Sequence, residues 1–176
     1  MSLTKVSDNM ISASLNTMSV SAGTGITGAA DIFKTSQSRD GDLITTNIFI
    51  DLTGLNSGGT AGDIIGSDGA GAAYFAKVTS SGTGSIFGLT VTCLETPAGG
   101  DADIDIYSAT ESTGIEDDPI SGLTETQIIN SGSLSIGSVV YGADIVADQY
   151  LYLVGQGTSN ATYTAGRLQI KLMGYA

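Results

Sequence analysis

The side chains in this sequence whose spacing invites chemistry are carboxylates. Asp101, Asp103 and Asp105 alternate along one apparent strand, with Glu95 expected across a hairpin from them. Glu111, Glu116, Asp117 and Asp118 follow in an acidic loop. Clustered carboxylates suit Ca²⁺, a hard cation that gathers many oxygen ligands, and Asp103, Asp105, Glu116 and Asp117 are the candidates. The segment is not an EF-hand, because Ile106 stands at its glycine position and Ser112 at its bidentate-glutamate position. The competing reading is a solvated acidic face that discourages edge pairing and keeps the chain soluble. That reading is preferred, with no metal and no cofactor expected. Paired carboxylates also serve glycoside hydrolysis, for which Asp103, Asp105 and Glu116 are the residues to test. The sequence has no Trp and only 6% aromatic residues, a poor supply of sugar platforms, so no enzyme is expected.

Other chemistries lack their parts. There is no His, and Cys93 is the only Cys. A Ser–His–Asp triad, a Cys–His dyad and the usual Cys/His zinc sites cannot be assembled within one chain. Cys93, in Leu89-Thr-Val-Thr-Cys-Leu94, reads as a buried structural thiol. Gly23-Thr-Gly-Ile-Thr-Gly28 matches the dinucleotide-binding pattern and Asp42 follows it, but the strand before and helix after that the fingerprint needs are not visible. A flexible turn is expected there. Gly58-Gly-Thr-Ala-Gly-Asp63 and Gly66-Ser-Asp-Gly69 resemble calcium-binding nonapeptides without their nine-residue period, and read as a plain loop.

The formal charge of −12 disfavours nucleic acid and anionic membrane surfaces as partners. No apolar run is long enough to span a bilayer as a helix, and the first ten residues lack a signal-peptide core. Gly is frequent (25) and Pro rare (2), a composition of short strands and many turns.

The elements that would position these residues are strands. Leu43–Thr53 places Ile44, Ile48, Ile50 and Leu52 on one side and Asn47, Asp51 and Thr53 on the other. Further strands are expected over Ala72–Thr79, Ser85–Glu95, Asp101–Tyr107, Ser133–Tyr141, Gln149–Val154 and Gly166–Met173, with Leu123–Asn130 ambiguous between strand and helix. Thr96-Pro-Ala-Gly-Gly100 reads as a hairpin turn, leaving Ile104 and Ile106 inward and Asp103 and Asp105 outward. The long first and last strands would close the fold by pairing. The expected architecture is a jelly-roll-like antiparallel β-sandwich over residues 43–176. Residues 1–42 read as an extended N-terminal arm ordered by a partner, with Leu3, Val6, Met10 and Ile11 as its contact residues. Tyr150 and Tyr152, on one side of their strand, are candidate intersubunit anchors.

Two sets of segments carry a resemblance. Leu3-Thr-Lys-Val-Ser7 with Met10-Ile11 resembles the N-terminal segments of phage tail-spike and other virion proteins. Leu89-Thr-Val-Thr-Cys-Leu-Glu95, Gly100-Asp-Ala-Asp-Ile-Asp-Ile-Tyr-Ser-Ala-Thr-Glu111, Leu123-Thr-Glu-Thr126, Asp148-Gln-Tyr-Leu-Tyr-Leu-Val154 and Ala161-Thr-Tyr-Thr-Ala-Gly166 together resemble small structural proteins of marine tailed phages and cyanophages. The resemblance implies a non-enzymatic, oligomeric virion component of jelly-roll type. The expectation drawn from it is a decoration or cement protein on the capsid exterior, assembled in the host cytoplasm. Its partners would be the major capsid protein or another virion protein, and copies of itself, with a trimer expected from shell symmetry. Acidity places it away from packaged DNA. The alternative is a tail-fibre or receptor-binding module whose loops 54–71 and 108–122 touch a host glycan.

Overall fold

A computed structural model describes residues 20–30, 32–142 and 145–176. Leu3, Val6, Met10 and Ile11 lie outside the described residues. The described residues form one short helix, α1 (Thr24–Thr27), and ten strands: β1 (Phe33–Asp40), β2 (Leu43–Asp51), β3 (Asp63–Ile64), β4 (Tyr74–Lys77), β5 (Ser85–Ala98), β6 (Ile104–Ala109), β7 (Glu125–Ile129), β8 (Val139–Gly142), β9 (Tyr150–Gly155) and β10 (Ala165–Tyr175). A 3-10 turn at Ile120–Gly122 precedes β7.

The strands form two antiparallel sheets packed as a sandwich. The first has the order β1-β2-β10-β5-β8. The second has β9 and β6 at its centre and β7 at one edge, while β3 and β4 lie end to end along the other side of β9. Most consecutive strands after β2 change sheet, and β2 and β10 meet as neighbours (Arg167 opposite Asp51 through Tyr175 opposite Leu43). That is the jelly-roll order expected from the pairing of the first and last long strands. The inward parities are also as read. Ile44, Ile48, Ile50 and Leu52, then Leu89, Val91 and Cys93, then Leu168, Ile170 and Leu172 are all buried between the sheets.

Two expectations need correction. The first is the arm boundary at residue 42, which falls inside a hairpin. β1 pairs with β2 over its whole length, Phe33 opposite Ile50 to Asp40 opposite Leu43, around a two-residue turn at Gly41-Asp42. Gly41 has φ of 59°, the left-handed value that tight hairpins require of their first turn residue. β1 is hard to see in sequence because it is an edge strand: Lys34, Ser36, Ser38, Arg39 and Asp40 are exposed, and only Phe33 supplies an apolar side chain to the core.

The second correction is the turn at 96–100. β5 runs on to Ala98, opposite Ala165, and belongs to the first sheet, whereas β6 belongs to the second. The segment between them crosses layers and is not a hairpin. Tyr163 fills the end of the sandwich there, donating from its hydroxyl to the Asp101 carbonyl at 2.8 Å. Glu95 therefore faces Arg167, at 3.4 Å, and not the aspartates of β6.

Asp51 lies on the side of β2 opposite the isoleucines, as read. Its carboxylate is almost wholly buried on the outer side of β2, where it accepts from Arg167 Nε at 2.9 Å and from the Thr53 amide at 3.1 Å. Burial pushes this acid up, but the guanidinium and the amide outweigh it and hold its pKa below the ordinary value. A depressed acid stabilises the fold above the unfolded-state pKa and loses that contribution as pH falls through the folded value. Arg167→Met is expected to cost about 1–3 kcal/mol at pH 7, the penalty of a buried acceptor left without its donor. The deficit relative to wild type should shrink below about pH 4 as Asp51 protonates. Urea melts at the two pH values check this.

Candidate interaction surface

Neither sheet of a sandwich is finished when its inner face is buried, because each also has an outer face. The second sheet cannot leave its outer face to water. In β9, Leu151 and Leu153 enter the main core, while Tyr152 and Val154, pointing the other way, are equally buried. Around them Ile64, Ala73, Ala109 and Ile120 form a second apolar cluster. The segment 110–124 lies over this cluster as a strap. It is held by the Tyr152 hydroxyl donating to the Glu111 carbonyl at 2.8 Å, by the Ile64 amide donating to the Asp118 carbonyl at 2.9 Å, and by the Ala73 amide donating to the Gly114 carbonyl at 2.8 Å.

The acidic loop is thus part of the wall of the fold. Its Glu111 carboxylate accepts from the Thr124 amide and hydroxyl at 2.9 and 2.8 Å. Tyr152, expected as an intersubunit anchor, is fully buried and cannot serve as one; burial pushes its hydroxyl up to about 12. Its alternation partner Tyr150 is half-buried, edge-on to Tyr74 with ring centroids 4.9 Å apart, and Lys77 Nζ lies 5.3 Å from its ring centre.

The four acids considered for calcium are held in two different places. Asp105 faces away from the main core, as read, beside Val154, yet it is buried there, and its carboxylate is engaged by Gln127 Nε2 at 2.7 Å and the Ser131 amide at 2.8 Å. Asp103 is opposite Ser133 and adjoins Gln156, whose amide donates to its carbonyl at 2.9 Å. Glu116 instead accepts from Asn56 Nδ2 at 3.1 Å, and Asp117 from the Gly59 amide at 3.2 Å. Among the described residues no three acidic, His or Cys side chains gather where they could hold a metal ion. A depression of 360 Å³ beneath the strap, lined by Ile64, Gly114, Pro119 and Leu123 among others, has Asp118 as its acid.

Gly23–Gly28 is neither a nucleotide loop nor a flexible turn. Gly23 and Gly25 carry the chain into α1 against the 71–74 segment, their amides donating to Tyr74 and Ala72 carbonyls at 2.8 and 2.7 Å. A β-carbon on Gly23 would stand 2.1 Å from the Ala72 carbonyl oxygen, so close approach explains the glycines. Cys93 is buried as read, its thiol pushed up by burial.

The outer face of the first sheet differs from that of the second. Across β2, β10, β5 and β8 it shows Leu43, Tyr175, Phe87, Val139 and Tyr141, each roughly half or more exposed, and Tyr141 is 75% exposed. Register places them: Leu43 opposite Tyr175, Tyr175 opposite Ser85, and Tyr141 opposite Thr90. Ile136 and Val146, on either side of β8, are 70% and 69% exposed. Leu43 and Tyr175 lie at the Ser85 end of the sheet, and Tyr141 and Val139 lie further along it, opposite Thr90 and Thr92, so the exposed apolar residues are spread along this face, where such residues are a candidate for contact with a partner. Parity alone would send Phe87 inward with Leu89, Val91 and Cys93, but the bulge between Ile86 and Gly88 turns it out, and nothing in the sequence distinguished a covered outer face from an uncovered one.

No family model, curated protein or solved structure matches this chain.

Asp103 offers a test of the electrostatics on the strapped side. Burial, then the neighbouring Asp105 and Asp101, push its carboxyl above the ordinary value, and its Oδ1 is buried without a hydrogen-bond partner. An acid raised by folding destabilises the fold once ionised, and that cost fades as pH falls through the folded pKa towards the unfolded one. Asp103→Asn is therefore expected to raise the melting temperature at pH 7, with an advantage that narrows towards pH 4. Thermal melts followed by circular dichroism check both the sign and the pH trend.

Proposed function

We propose that this protein is a non-enzymatic structural component of a phage particle, a jelly-roll sandwich that decorates and cements the capsid exterior. The observation that carries the reading is the contrast between the two outer faces: one is closed by the strap, while the other exposes Phe87, Val139 and Tyr141 on β5 and β8 with no comparable cover among the described residues. A protein that works by burying surface against neighbours needs such a face, and repetition over a lattice turns modest contacts into stable attachment. The charge of −12 supports an outer position, away from packaged nucleic acid. The partner would be the major capsid protein or another virion protein. Residues 1–19, with Leu3, Val6, Met10 and Ile11, would add a second attachment. The particle would be assembled in the host cytoplasm.

One observation favours the receptor-binding alternative. Register places Tyr74, Tyr152 and Tyr107 side by side across β4, β9 and β6, and Tyr74, Tyr107 and Tyr150 are each partly exposed beside the strap. Half-exposed tyrosines of this kind are a stacking surface for a sugar.

Co-sedimentation with particles depleted of this protein separates the two. Phe87→Asp with Tyr141→Asp should leave stability within about 0.5 kcal/mol and weaken particle binding by at least about tenfold. Removal of residues 1–19 should weaken it further, and Tyr150→Ala should leave it unchanged. Retained particle binding by the double variant, with sugar-inhibited attachment to host cells lost in Tyr150→Ala, would overturn the cement reading in favour of the alternative.

A further inference from the structure

The sheet edges are treated unequally. Along β4 the edge is covered, because the Lys77 amide donates to the Ser21 carbonyl at 3.0 Å and the Gly23 amide to the Tyr74 carbonyl at 2.8 Å. Along β3 it is covered by the strap, through Ile64 to Asp118 and Ile120 to Gly62. β8 is only four residues long. β1 has eight residues and pairs on one side alone, and among the described residues nothing bonds to its other side. An exposed edge of that length is a template for another strand unless something selects its partner.

The register identifies which groups are free. The Asp51 amide donates to the Ile32 carbonyl, so even-numbered residues of β1 direct their main-chain groups to β2. Phe33, Thr35, Gln37 and Arg39 therefore direct theirs outward. Lys34, Ser36, Ser38 and Asp40 are exposed on the outer face of the sheet. We propose that β1 pairs antiparallel with β1 of a second copy about a two-fold axis at Gln37, joining two five-stranded sheets into one.

In this register the two Gln37 main chains exchange hydrogen bonds, and Thr35 does the same with Arg39 of the other copy. Lys34 then lies opposite Asp40 of the other copy, twice over, in the non-hydrogen-bonded pairs where cross-strand side chains approach most closely. Centring the pair on Thr35 or Ser36 instead sets Lys34 opposite a serine. Lys34 thus acts as the charged guard usual on an edge, and Asp40 supplies the one in-strand register that satisfies it. Two-fold self-complementarity is the property an isologous contact requires. This contact is separate from the apolar face on β5 and β8, so it stands or falls independently of capsid binding.

Sedimentation equilibrium of the full chain over a dilution series tests it. The wild type should reach twice the 17.7 kDa chain mass, more tightly as added salt screens the net charge of −12 on each copy. Lys34→Asp should weaken the dimer by about tenfold, since each attractive pair becomes a repulsive one. Lys34→Asp with Asp40→Lys should restore it. Thr35→Pro removes an outward donor while sparing the bonds to β2, and should give a folded monomer. A wild type that stays monomeric at its highest concentration overturns the proposal. So does a dimer or trimer that persists unchanged in both Lys34→Asp and Thr35→Pro.

Discussion

The rest of the structure depends on β9 being apolar on both sides. A strand in a two-layer sandwich ordinarily sends one parity to the core and the other to water. Here Tyr152 and Val154 carry the outward parity and are as buried as Leu151 and Leu153. The second sheet must therefore be covered from outside, and the segment 110–124 does it. Once that strap is spent on one sheet, the first sheet has no comparable cover among the described residues. Its Phe87, Val139 and Tyr141 are left facing outward.

This constraint also sorts the acids. A chain with 18 Asp and Glu against 6 Lys and Arg cannot pair each carboxylate with a cation. The buried ones instead take neutral donors: Asp105 from Gln127 and Ser131, Asp63 from the Thr60 amide at 2.7 Å, and Asp101 through Oδ1 alone from the Ser159 amide at 3.1 Å, its Oδ2 being buried without a hydrogen-bond partner. Asp51 is the exception that takes a guanidinium. Amides and hydroxyls pin these acids to their loops, and among the described residues no three of them gather where they could hold a metal ion.

Much of the fold was legible because alternation is a physical signal. Ile44, Ile48 and Ile50, and Leu168, Ile170 and Leu172, announced both the strands and their inward faces, and two long alternating strands at the chain's ends announced their pairing. What was illegible required tertiary context. β1 lacks alternation because an edge strand needs only Phe33 to anchor it. Asp105 looked solvated by parity, yet it lies buried beside Gln127 and Ser131. Pro97-Ala-Gly-Gly100 has hairpin chemistry, but Ala98 pairs with Ala165 and the chain crosses layers. The candidate surface was the least legible, because exposure of Tyr141 and burial of Tyr152 follow from where the strap lies, and strap placement has no local code.

The central proposal is that one outer face is closed within the chain while the other serves association. Amide hydrogen exchange of the full chain, alone and bound to depleted particles, tests it most directly. The account predicts that binding newly protects residues 85–94 and 136–142, while 110–124 and β9 exchange as slowly free as bound. New protection confined to 110–124 and the Tyr150 edge, with β5 and β8 unchanged, would contradict it.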